Sequence, residues 1–410
     1  FNALQTQAFH ALYGTDDSAL VAAAPGCGKT LAAELALLRF FRQEAARAQA
    51  EGDGYVRRRA VYIAPFAALV RSRAREWRRR FGAVQGGKSV VVLSGDTAGD
   101  LRRMENAHVV LATPAAWDGL SRRWRQRQRH AVRDVGLVIA DELHWVGGAG
   151  LGSSADDATG GDAGEGEDDA GADAAGAQLA ATYEVVVSRM RYMAAQLERP
   201  VRIVALSVPL SNARDVAAWI GAPAAAVFNF HPAVRPIPLE IHIQTSTIPH
   251  FASRMAALVA PTYRAVCGDP TGAQRRGRRH PIGGDSAMDV DQGAIDPAER
   301  QPAIVFVSGR RQCRTVAGEL LTLAAADGVP ARFVLGDAAA VERAAQGVAD
   351  RALRGFLAFG VGYYHEALAA GDRRVVAELF AGGMIQVVVA SRGSCWALDA
   401  VHAHTVVIMG

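Results

Sequence analysis

One short stretch limits what this chain can fold into more than any other: SALVAAAPGCGKTLAAELALLRFF, beginning at Ser18. Ala19 to Ala23 form an apolar run short enough for a buried strand, Gly26 and Gly28 permit a tight turn, and Leu31 onward carries helical periodicity in strong helix formers. Strand, loop and helix in that order aim backbone N–H groups and the positive end of a helix dipole at one point, an arrangement suited to phosphate. Gly26, Cys27 and Gly28 are the cradle, Lys29 is a compact ammonium able to reach β- and γ-phosphates, and the Thr30 hydroxyl is a ligand for Mg²⁺. The pattern G-x-x-x-x-G-K-[ST] has Ala23 in place of its first glycine. Composition supports the assignment: of 45 basic residues only Lys29 and Lys88 are lysines, so Lys29 stands against a strong preference for arginine. A narrow site that needs a point charge on a flexible stem accounts for it.

Further strands follow at intervals, each ending in polar residues. AVYIAPFAALV (Ala60 to Val70), SVVVLSGD (Ser89 to Asp96), HVVLATPAAWDGL (His108 to Leu120), VGLVIADELHWVGG (Val135 to Gly148) and VRIVALSVPLSNARDVAAWIG (Val201 to Gly221) interleave with helical segments. Such runs predict an α/β fold with mostly parallel sheets covered on both faces, and a ligand at the carboxyl ends of the strands. The second constellation, Asp141-Glu142-Leu143-His144, closes one of these strands. There Asp141 is placed to hold Mg²⁺ through water, Glu142 to orient or deprotonate a water, and His144 to sense the γ-phosphate.

At 410 residues the chain has room for two or three domains, and no apolar run is long enough to cross a bilayer, so no membrane partner is expected. The four cysteines (Cys27, Cys267, Cys313, Cys395) are scattered without a CxxC, which argues against a disulfide scaffold or a zinc cluster and for a reducing compartment. Net charge is +4, with the acid concentrated in one segment, 147–177, that has no basic residue and is expected to be a disordered insertion. A second polar insertion is expected over about 267–301; its cluster Arg275-Arg276-Gly277-Arg278-Arg279 reads equally as a localisation signal, an RNA contact or a solvated loop. The runs RSRAREWRRRFG (Arg71 to Gly82) and SRRWRQRQRHAVR (Ser121 to Arg133) are expected to be solvated helix faces with Trp77 and Trp124 packed inward, ahead of RNA contacts. There is no aromatic stacking motif of the kind that reads RNA sequence.

The order of Gln5, APGCGKT, YIAPFAALV, LSGD, LATPAAWD, DELH and LSVPLSN resembles the motif series of superfamily-two DExH-box helicases of the Ski-two-like group. SRRWRQRQ, FNFHPAVRPIPLEIHIQ, FGVGYYHEAL and IQVVVASRGSCWALD narrow the likeness to tandem-cassette members that act in the spliceosome, and to their second cassette. The resemblance implies two RecA-like domains, 1–222 and 223–410, with ATP and Mg²⁺ between them, RNA and spliceosomal proteins as partners, and a nuclear location. By the same likeness Gln5 reads adenine, Asp141 and Glu142 serve metal and water, Pro65, Thr113 and Pro114 lie along the nucleic-acid path, and Ser207 couples ATP to RNA. Ile304 to Cys313 match a backbone-contacting strand and helix, and Ser391 and Arg392 open a further motif.

The chain also departs from the family pattern. Ser-Ala-Thr is Ser207-Val208-Pro209, Thr-Pro-Glu is Thr113-Pro114-Ala115, and Ala397 and Asp399 replace the usual Gly and Asn. The opening at Phe1 without Met and the close at Gly410, ahead of the family's arginine fingers, lead to the expectation of a fragment with an incomplete second domain and little ATPase of its own. Two functions follow: an ATP-dependent RNA helicase module remodelling snRNA duplexes, or a pseudo-helicase cassette that binds nucleotide and serves as a protein platform.

Overall fold

The apolar runs become parallel strands. The computed structural model describes residues 1–83, 86–147, 166–268, 301–398 and 401–410. They form two compact units, Phe1–Leu239 and Glu240–Gly410. In the first, strands β1 (Ala19–Ala22), β2 (Arg59–Ile63), β3 (Val90–Val92), β4 (Val109–Ala112), β5 (Val135–Ala140), β6 (Arg202–Ser207) and β7 (Val227–Asn229) make one sheet. Its order is β3-β4-β2-β5-β6-β1-β7, parallel throughout.

Alternation of side chains along each strand feeds two separate layers, which is why the strands read as unbroken apolar runs. Val21, Tyr62, Leu111, Ile139 and Val204 face one layer, with α1 (Ala3–Phe9), α2 (Lys29–Glu51) and α3 (Ala67–Gly82) supplying Leu4, Phe40, Trp77 and Phe81. Leu20, Ile63, Val110, Val138 and Ala205 face the other, with Met104 from α4 (Thr97–Glu105), Trp117 from α5 (Pro114–Ser121), Tyr183 from α7 (Gly166–Gln196) and Ile220 from α8 (Ala213–Ile220). The short α6 (His130–Arg133) leads into β5. Trp77 and Trp124 are both buried.

The second unit carries a four-stranded parallel sheet, β11-β8-β10-β9, from β8 (Ala303–Val307), β9 (Val361–Tyr364), β10 (Val387–Ser391) and β11 (Thr405–Ile408). Helices α9 (Phe251–Val266), α10 (Arg310–Ala326), α11 (Ala338–Gln346), α12 (Arg351–Leu357) and α13 (Ala370–Ala381) accompany it, and its core joins Val305, Leu320, Phe333, Val361, Phe380 and Val389. The buried Gln386 donates to Val266 O at 3.2 Å and Gln301 O at 3.1 Å, tying together the two flanks of the second polar insertion.

Three expectations need correction. The first unit runs to Leu239, not 222, because β7 adds to the sheet beside β1 and Phe230 N donates to Ala22 O at 2.8 Å. Helix α7 begins at Gly166, so the last part of the acidic segment is helical where disorder was expected; 148–165 lie outside the described residues. The third concerns the basic run on α3: Val70, Ala74, Trp77 and Phe81 form its buried stripe, and Arg73, three residues after Val70 and four before Trp77, turns inward with them. Its side chain is only 18% exposed. Residues 269–300, with the arginine cluster, and Asp399 lie outside the described residues.

Candidate nucleotide-binding site

Loop 23–28 leaves the carboxyl end of β1 and turns directly into α2. Gly26 and Gly28 both have left-handed backbone, φ 81° and 82°. That backbone favours glycine, and a Cβ at Gly28 would also push the Gln5 amide aside. Gly28 stands at the N-cap of α2 with its O accepting from Leu31 N at 3.1 Å and without a side-chain cap, so no capping side chain competes with an outside acceptor at this helix start. Asn2 Nδ2 donates to Cys27 O at 2.8 Å, and Asn2 and Gln5 close a reciprocal capping box that fixes Gln5 against the loop. Lys29 Nζ donates to Ala23 O at 2.7 Å and Ala24 O at 3.3 Å. Burial pulls its pKa below the usual lysine value, against the opposing pull of Glu142 and Asp141.

The Thr30 hydroxyl does not stand alone. Arg73 Nη2 donates to Thr30 Oγ1 at 2.8 Å, while its Nη1 pairs with Glu76 Oε2 at 2.5 Å. The guanidinium also lies 5.8 Å from the Trp77 ring centre. Burial works against its charge, yet Tyr62, Asp141 and Glu76 outweigh burial and hold its pKa above the ordinary value.

Asp141 and Glu142 follow β5 at the same sheet edge. Asp141 Oδ2 accepts from the Tyr62 hydroxyl at 2.6 Å, and Oδ1 accepts from Glu142 N at 2.9 Å. Tyr183 OH donates to Asp141 O at 2.7 Å and Ile63 O at 3.1 Å, so α7 clamps the ends of β5 and β2. Glu142 takes a left-handed φ of 52°, uncommon for a side chain of its size. Burial, then the charge of Asp141, push its carboxyl up to about 7, with Lys29 pulling the other way. His144 Nδ1 lies 3.5 Å from Glu142 Oε2 and is buried without a hydrogen-bond partner; burial and the Lys29 charge lower its pKa against the pull of Asp141. The order β5-β6-β1 sets Ser207, at the end of β6, between the two constellations. Its carbonyl accepts from Ala23 N at 2.9 Å, and its Oγ is buried with no hydrogen-bond partner.

A strand–glycine loop–lysine unit thus lies two strands from an acidic strand end, an arrangement suited to phosphate with carboxylates nearby. A DEAD/DEAH box helicase family profile matches residues 2–159, which hold both constellations. Residues 2–159 are a DEAD/DEAH box helicase domain. The chain is 38% identical over 409 residues to the U5 small nuclear ribonucleoprotein 200 kDa helicase of Homo sapiens, covering 100% of this chain and 16% of that one. To the DExH-box ATP-dependent RNA helicase DExH12 of Arabidopsis thaliana it is 38% identical over 411 residues, again 100% of this chain and 16% of the relative. The chain therefore spans 16% of the length of these curated relatives. Among solved structures, that of the DUF1998 helicase MrfA bound to DNA and AMPPNP superposes with a TM-score of 0.56 at 13% identity, over 100% of this chain and 44% of that one. That likeness concerns the fold, which is α/β and RecA-like.

Pro65 is buried just after β2, Pro114 opens α5, and Thr113 caps it with Oγ1 accepting from Ala116 N at 3.4 Å. All three lie at the carboxyl edge that carries the glycine loop, and Ala115 beside them is exposed. The second unit keeps its own groups: Ser391 Oγ donates to Glu366 Oε2 at 2.8 Å, and Arg310, Arg311 and Arg314 line a cleft with Asp350, Tyr363 and His365.

Sequence reasoning missed two residues. Arg73 was legible only from its helical spacing. Arg235 comes from the segment expected in the second domain, and its Nε would lie 3.3 Å from a Cβ at Gly26. The donors suit a polyphosphate: an ammonium, a glycine cradle, an uncapped helix start and a second cation. They suit a divalent ion poorly, because the Thr30 oxygen already receives a guanidinium and Asp141 already receives the Tyr62 hydroxyl. No cluster of three or more His, Cys, Asp or Glu side chains able to hold a metal occurs among the described residues.

Proposed function

We propose that this chain is the ATP-binding cassette of a nuclear RNA helicase that acts in pre-mRNA splicing, on snRNA duplexes and among spliceosomal proteins. The observation that carries the reading is one partly buried site in which the Lys29 ammonium feels the charges of Glu142 and Asp141 while resting on the carbonyls of Ala23 and Ala24. ATP would supply the phosphoanhydride whose cleavage drives remodelling. Lys29 would leave the loop carbonyls for the β- and γ-phosphates, with Gly26, Cys27 and Gly28 lending backbone N–H groups. Gln5, held by its capping box against Gly28, would meet the adenine. Glu142, with a carboxyl near 7, would take a proton from the attacking water, and His144 and Ser207 would report the state of the site. Pro65, Thr113 and Pro114 would border the RNA. Mg²⁺, which the family likeness assigns to Thr30 and Asp141, meets donors engaged by Arg73 and Tyr62, and no step is routed through it.

A second reading, a cassette that binds nucleotide and works as a protein platform, is favoured by Pro209, which has neither the hydroxyl nor the N–H of the usual coupling threonine. Both readings require nucleotide to raise the melting temperature of the chain and Lys29→Ala to abolish that rise; no rise in the unsubstituted chain would reject both. In the full-length protein the helicase reading requires RNA-stimulated ATP turnover assigned to this cassette, removed by Glu142→Gln. Absent turnover with retained nucleotide binding would leave the platform.

A further inference from the structure

The α3 residue Arg73 touches the site without belonging to either motif. Its guanidinium is held on three sides: Nη1 on Glu76, the Trp77 ring beneath, and Nη2 on the Thr30 oxygen. Trp77 is itself fully buried and anchored by its Nε1 donating to Glu34 Oε1 at 3.0 Å, so the stacking surface is fixed. The Arg73 side chain is 18% exposed, unlike the solvated arginines Arg80 and Arg103 at 47% and 52%. On its inner side stand Tyr62 and Asp141. A fixed positive charge thus sits on the hydroxyl oxygen and beside the carboxylate that would otherwise serve a divalent ion.

We propose that Arg73 is a built-in replacement for that ion, so that this site takes a nucleoside triphosphate as the metal-free anion. The charges allow it. Metal-free ATP carries a charge of about −4 and loses about half of it on binding a divalent ion. Lys29, Arg73 and Arg235 bring three cationic side chains to the same loop. Guanidinium suits such a position because its planar fork spans two oxygens and its weak hydration makes it cheaper to bury than ammonium. A divalent ion entering on the nucleotide would have to displace Arg73 from Thr30 and would meet its positive charge beside Asp141.

The inference rests on the nucleotide-binding reading, and the experiment separates their failures. Binding of a fluorescent, non-hydrolysable mant-labelled ATP analogue to the 410-residue chain is measured in EDTA and in Mg²⁺, for the unsubstituted chain and for Arg73→Met, which keeps the stem. The free Mn²⁺ resonance is followed by electron paramagnetic resonance as Mn²⁺ is titrated into each nucleotide complex, against a nucleotide-only control. The expected result is affinity in EDTA within about twofold of that in Mg²⁺ for the unsubstituted chain, and at least about tenfold weaker binding in EDTA for Arg73→Met, recovered by Mg²⁺. The unsubstituted complex should retain less Mn²⁺ than the Arg73→Met complex and less than free nucleotide. Binding that needs Mg²⁺, or Mn²⁺ held by the unsubstituted complex as tightly as by the nucleotide itself, overturns the role of Arg73 and leaves nucleotide binding intact. Absence of analogue binding in either condition overturns both. Should Arg73→Met fail to fold, the metal dependence and Mn²⁺ uptake of the unsubstituted chain decide the question alone.

Discussion

Glu142→Gln should stabilise the first unit, and the gain should grow with pH. The unfolded carboxyl ionises near 4.5, the folded one near about 7. Between those values the folded chain keeps a proton that the unfolded chain has released, so stability falls as pH rises through the window and levels off above it. Taken at face value, a displacement of that size penalises the fold by ~1 kcal/mol at pH 5 and ~3 kcal/mol at pH 8. The side chain is 23% exposed, and solvent screening reduces the larger figure to roughly 2 kcal/mol. Gln keeps the shape and removes the charge. The assay is urea unfolding at pH 5 and pH 8, followed by tryptophan emission, which reports the first unit because Trp77, Trp117, Trp124, Trp145 and Trp219 lie in it and only Trp396 does not. A variant equally favoured at both pH values, or less stable than the unsubstituted chain at pH 8, would refute the claim that Glu142 is held against its own ionisation.

Other substitutions probe neighbouring features. Gly28→Ala forces a side chain into left-handed backbone and onto Gln5, and should cost about 1–3 kcal/mol in urea unfolding together with a weaker nucleotide-induced thermal shift. Glu34→Ala removes a buried carboxylate that accepts from Trp77 Nε1 at 3.0 Å and from Arg80 Nη1 at 2.6 Å, and should destabilise the first unit by ~2–4 kcal/mol on the same fluorescence melt. In the second unit, burial pushes the Cys313 thiol up to about 12, so it should resist Ellman's reagent at pH 8 until denaturant opens the core.

The parts of the site legible in the sequence are those whose chemistry is local. The glycine loop announces itself because φ near 81° and 82°, an apolar strand and a lysine must occur together within a dozen residues. The acidic pair is visible because a carboxylate directly after an apolar strand has a fixed place at a sheet edge. What escaped depends on contacts distant in sequence. Arg73 sits 43 residues from Thr30, inside a run of arginines whose neighbours do face solvent. Strand β7 is three residues long and ends in Asn229, too brief for periodicity to register; only its ladder with β1 makes it a strand. The start of α7 is rich in Gly, Ala and Asp, and its composition resembles linker more than helix.

Strand β7 has a practical consequence for anyone who divides this chain. It shields one margin of the sheet, and the lane directly inside it is β1, which launches the glycine loop. Truncation at 222 would strip that cover and expose the hydrogen-bonding groups of Leu20, Val21 and Ala22 along an uncharged edge, the kind of surface that recruits foreign strands. A first-unit fragment kept to Leu239 retains the guard strand along that margin.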